Sequence, residues 1–592
     1  MSVLDRARET LATWVPARIE TRHLLLIGII ATAVFTRFWR LGTPGGFYFD
    51  EVYDAFTARE ILHGNGAAWE FRPAIPAPQG FAFEWVEPAL HELLMAGGML
   101  FFGDTSAIGW RFFGALFGVG SIVFVYLLGK RLFKSEVVAL SAAFLMTFES
   151  LGFVQSRLAT NDIYLLFFSL GSLYFLVSDR YLLSGLFLGA ALATKWSVLL
   201  IAFPFAVYFT YQFLQTERGP LGEVTRDLVR GLVSLGVGAG VTLLTAGTNF
   251  FGWIRASASD FPSSPLPFWV VMVAMAVGVI ELVRAIAGVA QDRARRETER
   301  GRFVMEAPLA IPLFFIVVPA SVYLLSYLPF FFTGHSLHYF WELHRQMWLY
   351  QTETAGTQSH PYQSLWYEWP IMARPIYYYL SPAGGQIYAV GNPVIFWAGL
   401  PAMAGVLWQL VRRVKIVVDS ESGEFNIAAH LQKADFALLF ILVAYLGFFA
   451  PWAFSPRILF IYHYLPSLPF LALGLGYWIQ QLWEAEREWR LGARSCAFLR
   501  GLVHFVFGEW LVRVLFGERT YISIHPRIFA IAFLAMAALT FVYFYPHLAA
   551  VSVSGAWAES YFWLPNSIIR LVDGVIPISE LPDSFFWFDR WR

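Results

Sequence analysis

The sequence predicts an all-α polytopic membrane protein, and three observations carry that prediction. The 592 residues are 57% hydrophobic, 18% aromatic and only 14% charged, against about 25% charged in a soluble domain. Apolar runs long enough to cross a bilayer, which needs about 20 residues per helix, recur along the chain. The basic residues segregate by loop. With 23 Trp and 58 Phe, the chain carries more aromatic bulk than one or two soluble cores absorb. This excludes a soluble enzyme, a disordered chain and a nucleic-acid binder, and makes the lipid bilayer the first implied partner. Basic and acidic residues number 42 each, so net charge says nothing about partners. The single Cys496 excludes a disulfide framework and a cysteine-based metal site.

Thirteen runs qualify as spans, near 24–40, 108–130, 136–155, 160–178, 181–197, 198–214, 231–248, 267–287, 309–332, 393–411, 434–451, 458–481 and 528–547. Only Lys195 and Pro204 divide the pair 181–197 and 198–214. The first run follows Asp5, Glu9 and Glu20 with no cleavage pattern, so it is expected to remain as a helix. If residues 1–23 are cytoplasmic, 28 of the 42 Lys and Arg fall in cytoplasmic segments, with Arg293, Arg295, Arg296, Arg300 and Arg302 crowding one loop. That is the positive-inside pattern. It predicts a multi-pass protein of the cell membrane with the N-terminus inside and the C-terminus outside. Residues 24–480 form the expected catalytic region, and 481–592 add a basic segment, one further span and an extracytoplasmic tail. Two extracytoplasmic loops, 41–107 and 333–392, are long and rich in Trp, Tyr, Pro, His and carboxylates. Val52, Phe56, Ile61 and Leu62 are spaced for a short interfacial helix over 51–63.

Three groups of residues could carry chemistry. Asp50 and Glu51 lie beside Phe47, Tyr48, Phe49 and Tyr53. Adjacent, poorly solvated carboxylates spread their pKa values, which suits a general base; equally, Asp50 could simply cap the helix that follows. Arg111, Arg157, Lys195 and Arg457 all fall toward the outer leaflet by parity. A cation inside a span is costly unless paired, so four on one face suggest a lipid-phosphate site. Snorkelling, or pairing with Asp162 or Glu149, explains any one of them. In the second loop, His338 and Glu342 have the i, i+4 spacing of a metal pair. Interfacial helices carry such pairs as ordinary hydrogen-bond partners, and no metal is assigned from sequence. Trp366, Glu368 and Trp369 fit an aromatic belt or a sugar-binding cleft.

The order FDE (49–51), FEW…EP (83–88), GWRFFGALFGV (109–119), QSRLATND (155–162), ATKWS (193–197), HPYQSLWYEWPIMARPIYYY (360–379), GNP (391–393) and SPRILFIYHYLPSLPF (455–470) resembles the protein O-mannosyltransferases. The resemblance runs from about residue 24 to 480. It implies the GT-C glycosyltransferase fold and transfer of mannose, with inversion, from a polyprenyl-phosphate-mannose donor to Ser/Thr hydroxyls of translocating proteins, with the secretion machinery as a further partner. By position, Asp50 resembles the family's catalytic base and Glu51 its acidic partner. Arg111 resembles its essential arginine after the first lumenal loop, Arg157 and Asp162 match its SR…D motif, and Lys195 its KW lysine near the carrier phosphate. His360, Arg457, His463 and Tyr464 match its later conserved blocks near the donor site, Tyr362 and Trp369 fall in the HPYQSLWYEWP block, and Glu84 and Glu87 in the first-loop block. Three departures stand out. The family's HPP is Glu87-Pro88-Ala89 here. The loop 333–392 is too short for the MIR domains of eukaryotic members. Thirteen spans exceed the eleven usual in the family. A lipid acceptor on the same fold is the first alternative; a transporter is the second, disfavoured by the lack of paired repeats.

Overall fold

Backbone polar groups in a bilayer must be paired within the chain, so spanning runs become helices. The computed structural model of the protein describes residues 20–215, 312–413, 433–485 and 522–554 apart from isolated positions, with short pieces at 417–418, 425–426, 489–491 and 557. The expected spans 231–248 and 267–287, the arginine-rich loop around Arg293, Cys496 and the tail beyond 557 lie outside the described residues. Every other expected span contains helix.

The first half runs α1 (Thr21–Phe38), α2 (Asp54–Leu62), α3 (Leu90–Phe102), α4 (Ala107–Phe133), α5 (Glu136–Thr147), α6 (Ser150–Gln155), α7 (Asp162–Val177), α8 (Tyr181–Leu192) and α9 (Ala202–Gln215). Its boundaries have local causes. Lys134 adopts a left-handed conformation and ends α4; the Ser135 hydroxyl then accepts from Val138 N and starts α5. The Glu149 carboxylate accepts from the amides of Leu151 and Gly152 and opens α6. The second half adds α10 (Val318–Ser326), α11 (Leu328–Phe332), α12 (Leu337–Leu349), α13 (Pro393–Arg413), α14 (Lys433–Phe449), α15 (Leu468–Trp483) and α16 (Arg527–Phe544). Among the described residues, five helices are long and apolar enough to cross a membrane: Thr21–Phe38, Ala107–Phe133, Pro393–Arg412, Phe436–Phe454 and Arg527–Leu548.

Other expected spans are interrupted. The span 136–155 breaks at Phe148 and Glu149 between α5 and α6. The span 198–214 is preceded by a tight 3-10 turn, Trp196–Ile201, and 458–481 opens with another, Ile461–Ser467. Irregular backbone at such depth persists where it faces protein or a cavity rather than lipid. Because the helices alternate in direction, the breaks after α5, after α8 and before α15 come to the same end of the bundle, where α4 and α7 begin.

One expectation needs correction. The interfacial helix expected over 51–63 forms as α2, but Ala55, Phe56, Thr57 and Ala58 are buried. Phe56 stacks on Phe81 at 4.9 Å, so its apolar face serves the protein interior. The helical architecture is as expected, with a small antiparallel hairpin added in the second loop, β1 (Ile376–Leu380) with β2 (Gln386–Ala389), which pairs Tyr377 with Tyr388 and carries an irregularity between Tyr377 and Tyr379. Helix α3 was also not foreseen; its 13 residues span about 20 Å, short of a bilayer. It packs on α4 through Gly98 and Gly109, where a β-carbon on either would strike the backbone of the other segment. That close approach sets the start of α4, and with it the position of Arg111.

Candidate active site

The segment after α1 is held by two arginines whose donors go to the protein itself. From the first turns of α4, Arg111 Nε donates to Glu51 Oε1 at 2.7 Å and Nη2 to Glu51 Oε2 at 2.7 Å. Its remaining donors reach the carbonyls of Leu41 (3.1 Å), Pro44 (2.6 Å) and Gly46 (3.0 Å). All five guanidinium donors are used. Glu51 also accepts from Trp110 Nε1 (3.3 Å), Tyr48 N (3.3 Å) and Ala159 N (3.1 Å), and is wholly buried. Arg157 sends Nη1 to the carbonyls of Thr36, Arg37 and Trp39, and Nη2 to that of Arg40. The carbonyls of Thr36 and Arg37 belong to the last turn of α1 and those of Trp39 and Arg40 follow it, a favourable place for a cation. The sequence reading that put Arg111 and Arg157 on a lipid phosphate is corrected here: their hydrogen-bonding capacity pins the 36–51 segment. Glu51 is likewise a clamp rather than a free acid.

Asp50 is the neighbour of Glu51 and its opposite. The two share a 3-10 turn, Phe49–Val52, which turns adjacent side chains about 120° apart. Phe49 opens the turn at φ +52°, an unusual conformation for a bulky residue. The Phe49 ring lies 4.0 Å from that of Tyr378 on β1, which holds the turn from outside. The cap of α2 is Tyr53 and makes no side-chain bond, so Asp50 does not cap the helix. Among the described residues nothing donates to the Asp50 carboxylate, which stays partly open while its surroundings are walled by protein. Burial, then the charges of Asp54 and Asp162, push its pKa up to about 8 from 3.8, with Lys195 opposing. A carboxyl group poised near neutrality, with no partner to satisfy, suits proton transfer.

A charged cluster lies within electrostatic reach of Asp50. Lys195, in the break after α8, donates to Asn161 Oδ1 at 3.0 Å and Asp162 Oδ1 at 2.9 Å, and lies over the Tyr462 ring at 5.8 Å. Lys195 is 6% exposed. The pairing alternative weighed from sequence is therefore realised for Lys195 with Asp162, not for Arg157, and Glu149 serves as a helix cap. Arg457 Nη1 binds Gln351 Oε1, and Gln351 Nε2 passes on to Val86 O at 3.0 Å and Glu87 Oε1 at 3.2 Å. The Arg457 Nε is buried without a partner. Burial raises the pKa of Glu87, with Lys195 and Arg457 opposing, and raises that of Glu84 well above the ordinary value. Glu84 Oε1 accepts from Val86 N at 2.8 Å. Asp50, Lys195, Asp162, Glu87 and Arg457 thus belong to one electrostatically coupled cluster, drawn from the first loop, two helix breaks and the segment before α15.

The remaining residues form a supporting layer. Trp369 is fully buried, donates to Ser364 Oγ at 2.9 Å and stacks on His463 at 6.0 Å. It cannot offer a ring face to a sugar, which corrects that reading of the second loop; Glu368 is taken by Arg374 and by Leu365 N. Tyr464 shares a hydrogen bond with Tyr445 at 2.8 Å. His360 and Tyr362 sit at the margin, His360 edge-on to Phe460 at 5.4 Å, its pKa lowered by partial burial. Glu342 is satisfied by Arg345 and Gln346 one turn away, so the His338–Glu342 spacing serves local helix contacts. Sequence reasoning missed Asn161, Asp54, His91 and Glu92. The signal for the last two was the altered block Glu87-Pro88-Ala89-Leu90-His91-Glu92, where a histidine reappears one helical turn on.

The Saccharomyces cerevisiae protein O-mannosyltransferase complex bound to the sugar donor matches with a TM-score of 0.53 and 14% identity, over 92% of each chain. The fold is therefore that of the multi-pass GT-C membrane glycosyltransferases. Residues 28–224 match the family model for dolichyl-phosphate-mannose-protein mannosyltransferase, and residues 336–566 that for the C-terminal four-helix membrane region of protein O-mannosyltransferase. The polyprenol-phosphate-mannose–protein mannosyltransferase of Mycolicibacterium smegmatis is 25% identical over 83% of this chain and 88% of its own. That of Mycobacterium tuberculosis is 25% identical over 76% and 79%. The chain belongs to the protein O-mannosyltransferase family.

Proposed function

We propose that this protein moves mannose from a polyprenyl-phosphate-mannose donor to Ser/Thr hydroxyls of proteins, with inversion, at the extracytoplasmic face of the cell membrane. The observation that carries the reading is the Asp50 carboxyl group, which accepts no hydrogen bond among the described residues and lies within the electrostatic reach of Lys195. Asp50 takes the acceptor hydroxyl's proton as its oxygen attacks C1 of mannose. The C1–O bond to the carrier phosphate breaks, and the phosphate leaves with added negative charge. Lys195 and the unfilled Nε of Arg457 stabilise that charge where it develops. Glu51 and Arg111 position the base without touching substrate. Basic loops on the opposite side support an N-terminus inside. Acceptors still crossing the membrane, and contact with the secretion machinery, extend the reading on family likeness alone.

The deciding assay supplies membranes containing the protein with labelled polyprenyl-phosphate-mannose and a Ser/Thr-rich peptide. Peptide-bound label is expected. Label that enters the lipid fraction and not the peptide would overturn the protein-directed reading in favour of a lipid acceptor.

A further inference from the structure

We infer that Asp54, His91 and Glu92 form a binding site for one divalent cation of the zinc class, beside the transfer cleft and distinct from it. Three observations converge on these residues. One ligand atom from each lies within 4.8 Å of the others, and all three side chains are buried. His91 Nδ1 lies 3.0 Å from the Pro88 carbonyl, which can only accept, so Nδ1 carries the proton. The neutral ring then presents a bare Nε2 lone pair 2.8 Å from Asp54 Oδ1. Two acceptors at that distance repel unless a positive charge lies between them. Glu92 Oε1 is the third observation: it is buried and accepts no hydrogen bond among the described residues, and Glu92 is 2% exposed.

A proton can bridge Asp54 and His91, but it leaves Glu92 with nothing to bind. An imidazolium is disfavoured where the ring has no exposure at all. A divalent cation satisfies all three acceptors together. One imidazole nitrogen and two carboxylate oxygens are a donor set that zinc accepts, with a position left for water. The Pro88 carbonyl supplies the outer-shell bond that usually orients a metal-bound histidine. The local field favours a cation too: Glu84 and Asp54 bear on Glu92, and Glu87, Asp162 and Glu51 bear on Asp54, against Lys195. Asp54 opens α2 one turn after Asp50, and His91 and Glu92 open α3. The ion would tie together the two helices that flank the base.

The test is metal uptake by the purified, detergent-solubilised full chain after chelator treatment. The stripped protein is titrated with Co²⁺, then separately with Zn²⁺ while thermal unfolding is followed. About one equivalent of Co²⁺ with visible ligand-field absorption is expected, and a higher melting temperature with Zn²⁺. Glu92→Gln and His91→Gln should lose both responses. His91→Gln keeps a hydrogen-bond donor for Asp54, so a site that merely shares a proton predicts an unaltered melting temperature in that variant and no metal response in the wild type. Absence of Co²⁺ uptake by the wild type, or uptake equal in wild type and Glu92→Gln, would overturn the site. If a variant fails to fold, the wild-type titration decides alone.

Discussion

Asp50 and Glu51 are adjacent in the chain and carry the same charge, yet they belong to two different regions. Glu51 sits in a closed clamp: two bonds from Arg111, three more from Trp110, Tyr48 and Ala159, and no exposure. Asp50 is only partly buried, receives no hydrogen bond among the described residues, and feels the charges of Asp54, Asp162 and Lys195. The cations divide the same way. Arg111 and Arg157 spend their donors on carbonyls and Glu51, whereas Arg457 keeps a buried Nε without a partner. A buried charge can hold the fold or await a substrate. Hydrogen-bond accounting separates the two cases where residue type and depth do not.

The sharpest way to break this comparison is to exchange the roles. Asp50→Asn should lower transfer by about 10²–10⁴-fold, because an amide cannot accept the proton, while the protein folds normally. Near-normal turnover in folded Asp50→Asn would remove it from the mechanism. Arg111→Gln should do the reverse. Leaving Glu51 buried and unpaired costs about 3–5 kcal/mol, read as a large fall in melting temperature, and the fraction that survives should keep donor affinity. An Arg111→Gln protein of ordinary stability would dissolve the clamp.

Lys195 tests the border between the regions, since it is both paired and in the cleft. Lys195→Met should weaken donor binding and also destabilise, because Asp162 loses its ion pair. The double variant Lys195→Met with Asp162→Asn removes the stranded charge and should recover stability without recovering donor affinity. Recovery of both would make Lys195 purely structural.

The smallest effect concerns pH. The Asp50 pKa is raised from 3.8 to about 8, so the ionised base accumulates as pH rises through about 8, and kcat/KM should climb over that window in wild type. The stability sign is opposite. A carboxyl group whose folded pKa is raised favours the fold while protonated, and that contribution is lost as pH rises from about 4 to 8. Asp50→Asn should therefore melt higher than wild type at alkaline pH, with the gap closing as pH falls. A gap that widens toward acid would contradict the environment assigned to Asp50.

Much of the architecture was legible in the sequence because lipid imposes a one-dimensional rule: about 20 apolar residues, paired internally, make a helix. The runs around 108–130, 393–411 and 528–547 needed nothing more. The motif order from Phe49 to Pro469 likewise identified the family, and the interruption at Lys195 marked a polar site inside apolar chain. Tertiary structure decided what each charge does. Nothing local distinguishes Arg111 from Arg457, or Glu51 from Asp50. Arg111 and Glu51 meet from 60 positions apart in the chain, Asp54 and His91 from 37, and Arg457 and Gln351 from 106. Burial and hydrogen-bond partnership are properties of the packed chain. A buried charge takes its chemistry from whichever donors and acceptors the fold brings within about 3 Å.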